Sequence, residues 1–254
     1  MTAGTGRSAF VLGGTGSMGR AIVARLMNAG VRTAFAGRDR ARGHDLATRT
    51  GALFYEIDVI QRSRIDESLE AATNDLGGID LFVSAIGEVF VSPLGQTEEA
   101  VFRELVEVNL TSVFRCSRYM FEHFRSRGGG AMVHVVSDAA LLGIHHIPVY
   151  TSAKAGLLAM SELFAAEGAS LGIRVNAICP GATVPGVQST VAGYAHHAED
   201  HSTWGAPPSG RHGSPEDIAS AVAWLAFGDS AHVSGATLRI DGAASAAMRG
   251  STRA

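Results

Sequence analysis

Tyr150 and Lys154 stand four residues apart in the run Tyr150-Thr151-Ser152-Ala153-Lys154, a spacing that puts both side chains on one face of a helix. A phenol ionises near pH 10, so acid/base work near neutrality calls for a cation beside it. The basic residues of the chain are 20 arginines and a single lysine, Lys154. With four tyrosines in 254 residues, a lysine placed at random falls four after one of them fewer than two times in a hundred. Arginine serves wherever any cation will do. The one compact ammonium, able to bond a ribose and pass on a proton, follows a tyrosine. The pair predicts proton transfer to or from an oxygen.

A second set of residues suits a phosphate. Gly13-Gly14-Thr15-Gly16-Ser17-Met18-Gly19 lies between an apolar run and a helical pattern, where glycines let the backbone approach a pyrophosphate and helix N-terminal amides supply partial positive charge. About twenty residues on, a dinucleotide fold keeps an acid for the adenosine ribose. Here the second strand ends Ala36-Gly37-Arg38. No carboxylate repels a 2′-phosphate, and Arg38 can pair with one, so NADP(H) is favoured over NAD(H); a solvated surface arginine is the alternative. Asp58-Val59 follows the third strand; the carboxylate suits either the adenine amino group or an N-cap of the next helix.

These residues need a frame. The strand candidates are Ser8 to Leu12, Arg32 to Ala36, Ala52 to Ile57, Asp80 to Ser84, Ala131 to Val136, Arg174 to Ile178 and Thr237 to Ile240. Most lack alternation, as strands buried on both faces do. Helical patterns fill the gaps: Met18 to Ala29, Asp39 to Thr50, Arg64 to Leu76, a long stretch from Glu98 to Arg127, Tyr150 to Leu171, and Pro215 to Phe227 behind the Ser214-Pro215-Glu216-Asp217 start signal. The alternation predicts an α/β, Rossmann-like doubly wound parallel sheet of about seven strands, with helices on both faces. The whole chain, 1–254, reads as one domain. Its Gly-, Pro- and His-rich segment, 182–213, reads as a substrate lid, too long for an idle connection.

Composition removes other classes. A net charge of −3 gives no polyanion-binding surface, so no nucleic-acid partner is expected. No apolar run is long enough for a membrane span, and the N-terminus is too polar for a secretory segment, so the expected compartment is the cytoplasm and no membrane partner is expected. Cys116 and Cys179 lack ligand spacing and read as packing. His145, His146, His196, His197 and His201 make no convincing metal site.

With these residues in view, the chain resembles a short-chain dehydrogenase/reductase, of the single-domain branch that includes ketoacyl-carrier-protein reductases and hydroxysteroid dehydrogenases. The resemblance runs nearly the full length. It rests on the glycine loop, Val108-Asn109, Ser137 thirteen residues before Tyr150, the Tyr-x-x-x-Lys pair, Pro180-Gly181, and the tail from Arg211-His212-Gly213-Ser214-Pro215-Glu216-Asp217 to Asp241-Gly242. It implies that Tyr150 donates the proton, Ser137 polarises and orients a substrate carbonyl, Lys154 lowers the tyrosine pKa and holds the nicotinamide ribose, and Asn109 holds a water linking Lys154 to solvent. The implied cofactor contacts are Gly13, Gly16, Ser17, Met18, Gly19, Ala85, Ile86, Pro180, Gly181 and Thr183, beside Arg38, Asp58, Val59, Tyr150 and Lys154. Three departures stand out. Leu12 and Ser17 replace a threonine and a glycine of the loop, with Gly16 partly compensating. Ser84-Ala85-Ile86-Gly87 replaces Asn-Asn-Ala-Gly and loses a side-chain amide. Pro185 replaces a threonine, with Thr183 near enough to take its place.

The resemblance implies an NADPH-dependent oxidoreductase acting on a small-molecule ketone or secondary alcohol, without a metal. It also implies a homo-oligomer, a tetramer, built on helices that carry more apolar residues than one sheet face can cover. The alternatives are a non-catalytic NADP-binding sensor or scaffold of the same fold, and epimerase or dehydratase chemistry. The first would dispense with the tyrosine or lysine, and the second lacks its substrate domain.

Overall fold

A computed structural model describes residues 6–185 and 206–250. Among these residues, seven apolar runs form strands: β1 (Ser8–Leu12), β2 (Arg32–Gly37), β3 (Leu53–Glu56), β4 (Leu81–Ser84), β5 (Gly130–Val135), β6 (Ile173–Pro180) and β7 (Thr237–Ile240). They lie parallel in the order β3-β2-β1-β4-β5-β6-β7. β1 and β4 are buried at every residue, because helices cover both faces; this is why their sequences do not alternate. The pleat of β1 sends Ala9 and Val11 to one side and Phe10 and Leu12 to the other.

The first side packs against α1 (Ser17–Asn28) and α7 (Pro215–Ala226), through Ile22, Val23 and Leu26 from one helix and Ile218, Val222 and Leu225 from the other. α2 (Arg40–Thr50) adds Leu46 to the same layer. The second side packs against α3 (Arg62–Leu76) and two helices from later in the chain. Ser214 and Asp217 cap α7 reciprocally, as the Ser214-Pro215-Glu216-Asp217 signal predicts.

The stretch from Glu98 to Arg127 is three elements rather than one. It comprises α4 (Glu99–Val106), a wide π turn at Glu107–Thr111, and α5 (Ser112–Arg127). Asn109 Nδ2 donates to the Leu105 carbonyl (2.9 Å) and Ser112 Oγ to the Val108 carbonyl (2.6 Å), so side chains compete for acceptors the helix ladder would use. α6 (Pro148–Gly168) packs beside α5 on the second face, and α8 (Ala244–Gly250) ends the described chain. The greater part of the expected lid lies outside the described residues.

One buried residue ties these layers together. His134 on β5 contacts Ser117 of α5 through Nε2 (3.0 Å) and Ser161 of α6 through Nδ1 (2.7 Å). Ser161 gives its own proton to the Leu157 carbonyl, so it must accept from Nδ1–H, and Nε2 accepts from Ser117. Burial, with the Lys154 charge, pushes the His134 pKa down to about 3 and keeps the ring neutral.

Candidate active site

Strand order reverses between β1 and β4, which opens a crevice at their C-terminal ends. The glycine loop leaves β1 there. Gly13 has φ +86°, and a Cβ on it would stand 2.8 Å from the Ala85 carbonyl oxygen, so the loop and the end of β4 approach too closely for a side chain. Gly16 differs: a Cβ there meets only the Gly13 oxygen at 3.5 Å, and its outer side is open. α1 begins with no side-chain cap and no acidic residue in its first turn, so the amides at Ser17, Met18 and Gly19 face that open side with their partial positive charge uncompensated. The cradle fits a pyrophosphate.

Beyond the end of β2, Arg38 is exposed and its Nη1 lies 3.5 Å from the Glu88 carboxylate. It is therefore neither free nor buried, and its partner comes from the segment after β4. Asp58 accepts from the Ile60 amide (3.1 Å), closing a turn; the residue that caps α3 is Gln61, so the N-cap use of Asp58 is not realised. Val59 packs against the second core. At the far end, β6 terminates in Pro180, and Thr183 turns its hydroxyl back onto the Gly181 carbonyl (3.0 Å) while bridging to Gly213.

Between these ends lie Tyr150 and Lys154, one turn apart on α6, with Pro148 at its start. Both are buried, the lysine at 1% exposure. Lys154 Nζ donates to the Ile86 carbonyl (2.8 Å) and the Val135 carbonyl (3.2 Å), and sits 5.6 Å from the centre of the Tyr150 ring. Asn109 is held on three bonds: Oδ1 accepts from the Glu88 amide (3.0 Å), and Nδ2 donates to the Glu88 carbonyl and the Leu105 carbonyl (both 2.9 Å). Gly87 separates the two, since a Cβ there would lie 3.4 Å from Lys154 Nζ and 3.5 Å from Asn109 Oδ1. Ser137 follows β5, accepts from the Ala139 amide (3.1 Å) and donates to Asp138 Oδ1 (3.2 Å).

The electrostatics differ from the expectation in one respect. Burial pushes the Tyr150 pKa up to about 12; the pull downward comes from the Ser137 hydroxyl, and Asp138 adds a push upward. Lys154 is not among the groups that shift it. The Lys154 ammonium lies over the ring, held by two carbonyls, and burial brings its own pKa down to about 8. Asp138, half-buried, is raised by desolvation.

Residues 13–245 match the family described as enoyl-(acyl carrier protein) reductase. The chain belongs to the short-chain dehydrogenase/reductase family. This dehydrogenase/reductase is 30% identical to a 3beta-hydroxysteroid dehydrogenase of Eggerthella lenta, over 93% of each chain. It is 32% identical to the cis-4-hydroxycyclohexanecarboxylate dehydrogenase of Sinomonas cyclohexanicum, over 93% of this chain and 95% of that one. A crystal structure from Sinorhizobium meliloti 1021, described as a short-chain alcohol dehydrogenase, superposes with a TM-score of 0.87 at 29% identity, covering 95% of this chain and 97% of that one.

Two residues of the site, Asp138 and Glu88, and one of the core beneath it, His134, escape sequence reasoning. Asp138 is next to Ser137, and that adjacency is a usable signal. The partners of Glu88 and His134 are distant in sequence and leave none. Among the described residues no cluster of three metal-ligating side chains occurs. His145 and His146 stand exposed; His196, His197 and His201 lie outside the described residues.

Proposed function

We propose that this dehydrogenase/reductase uses NADPH to reduce a ketone to a secondary alcohol and catalyses the reverse reaction with NADP⁺, with Tyr150 as general acid/base. The observation that carries the reading is the Tyr150 hydroxyl. It stands one turn from Lys154 on the same helix, with the buried ammonium over its ring at 5.6 Å from the centre and the Ser137 hydroxyl beside it, and burial keeps its proton on at neutral pH. When bound, the nicotinamide supplies hydride to the carbonyl carbon. Tyr150 gives its proton to the oxygen as negative charge develops there, and Ser137 holds that oxygen in line. Lys154, protonated below about pH 8, returns a proton to Tyr150 and takes the next through a water held at Asn109. The Gly13–Gly19 loop holds the pyrophosphate, while Arg38 favours the 2′-phosphate, β2 ending in Gly37 rather than an acid and the Asp39 carboxylate being engaged as the N-cap of α2.

Residues 1–254 form one catalytic domain in this reading, with 182–213 as its lid. Phe114 on α5 and Leu163 on α6, 44% and 56% exposed, support a tetramer in which these helices are covered. Free buried thiols at Cys116 and Cys179 suit the cytoplasm.

The test is a panel of ketones and α,β-unsaturated carbonyls scored by NADPH consumption, repeated with Tyr150→Phe. Turnover lost in the variant, with cofactor affinity kept, supports the reading. Turnover that survives Tyr150→Phe removes the tyrosine from it.

A further inference from the structure

A carboxylate bonded to Ser137 is not needed for the chemistry above, yet Asp138 is one. Its Oδ1 takes the Ser137 hydroxyl proton at 3.2 Å. Its Oδ2 lies 3.5 Å from the place a Cβ on Gly181 would occupy, which sets the carboxylate between the ends of β5 and β6. Its charge reaches both Tyr150 and Cys179. From the end of β7 the like charge of Asp241 acts on it, and among the described residues no cation is one of the groups that do.

A half-buried carboxylate without a cation is costly to hold and persists where donors satisfy it. Here the protein supplies the Ser137 hydroxyl and nearby backbone amides. A carboxylate keeps about four acceptor positions, so capacity is left over for a further donor. Ser137 Oγ is the hub. A substrate oxygen bonded to it lies within about 6 Å of Asp138 Oδ1, and a hydroxyl or amine on the neighbouring carbon falls inside that span.

We propose that Asp138 is a specificity-determining residue that selects substrates carrying a hydrogen-bond donor, a hydroxyl or an amine, on the carbon next to the reacting carbonyl. An α-keto acid, which puts a second carboxylate in the same place, is rejected by repulsion. A donor that shares Asp138 also loosens its hold on the Ser137 proton, which then turns to the substrate carbonyl. The selection rests on the proposed carbonyl chemistry and goes beyond it by naming the substrate class.

Three matched compounds test it: acetoin, butanone and α-ketobutyrate, each assayed with NADPH on the wild-type protein, Asp138→Asn and Asp138→Ser. The wild type should favour acetoin over butanone in kcat/KM by about ten- to a hundredfold, the range of a charge-assisted hydrogen bond, and turn over α-ketobutyrate most slowly. In Asp138→Asn the acetoin preference should collapse severalfold and α-ketobutyrate should gain. Asp138→Ser carries the same reading should the asparagine variant fold poorly, as judged by circular dichroism. Turnover with the same acetoin-to-butanone ratio in wild type and variants overturns the role of Asp138 alone. Failure of the wild type to reduce any carbonyl compound with either nicotinamide cofactor overturns the carbonyl reading, and Asp138 falls with it.

Discussion

Replacing Lys154 by arginine keeps a positive charge and alters only its shape and its titration, which makes the variant a sharp probe of the site. The seat of Nζ is tight: carbonyl oxygens at 2.8 and 3.2 Å, and a Gly87 whose absent Cβ would stand 3.4 Å away. A planar guanidinium is longer by one fork and must push against Gly87 and Asn109. Overpacking of this kind costs about 1–3 kcal/mol, a fraction of the stability of an ordinary domain, so the variant should fold with a lowered Tm. Loss of a correctly placed charge-assisted bond, worth about 1.5–3 kcal/mol, predicts a fall in kcat/KM of roughly ten- to a hundredfold. The pH profile separates shape from charge. In the wild type, carbonyl reduction should decline as pH rises through about 8, where Lys154 loses the proton it must return to Tyr150. Arginine does not titrate there, so the residual activity of the variant should lack that limb. Steady-state NADPH oxidation from pH 6 to pH 10, with Tm recorded alongside, provides both readings. A Lys154→Arg protein with wild-type kcat/KM, or with the same declining limb, would refute the assignment of Lys154 as the proton source.

NADPH should bind more tightly than NADH, with Arg38→Ala erasing the gap in a titration of both cofactors. Because Glu88 shares the Arg38 guanidinium on an exposed surface, where a pair is worth at most about 1 kcal/mol, Glu88→Gln should strengthen NADPH binding by no more than about fivefold and leave NADH unchanged. Equal effects on the two cofactors would contradict that role. His134 has a native pKa of about 3 against an ordinary 6.5, so the unfolded chain binds a proton that the native one refuses. Its contribution to stability is full above pH 6.5 and is lost as pH falls toward 3. Urea unfolding at pH 5 should be easier than at pH 7 by up to about 2 kcal/mol from this group, and His134→Gln should flatten the decline; an unchanged slope would exclude it. Gly19→Ala puts a Cβ 2.1 Å from the Gly13 carbonyl oxygen, so the loop must shift. Cofactor binding, followed by quenching of protein fluorescence, should be lost while far-UV circular dichroism is kept.

Much of the frame is readable from the chain because its signals are local. Strand β1 and the start of α7 are written in five or six adjacent residues, and a buried apolar run or a Ser-Pro-Glu-Asp start needs no distant partner to be understood. Tyr150 and Lys154 share a helix face by spacing alone. The break at Asn109 was hidden because its side chain competes with the helix ladder only when the β4 loop, at Glu88, fixes its other bonds from 21 residues away. Arg38 and Glu88 are 50 residues apart, and His134 meets serines 17 and 27 residues off. Nothing near those residues announces the contact. The sign of the Tyr150 shift is hidden for a related reason. A nearby cation is visible in sequence, but the depth at which the phenol is buried is not, and burial dominates.

The bare start of α1 sets stability and function against each other at a single residue. Gly16 has an ordinary backbone conformation (φ −75°, ψ 167°) and open space where a Cβ would go, so an aspartate is sterically admissible there. It would cap the helix, an improvement of about 1 kcal/mol of the kind sought in thermostabilisation. It would also put a fixed anion where the loop offers its amides to a mobile one. An engineer ranking substitutions by folding energy alone would choose this position early and disable the protein with it. Selection that weighs ligand capture leaves the helix uncapped, so occupancy of the loop by an anionic ligand adds to the resistance of the whole chain to unfolding.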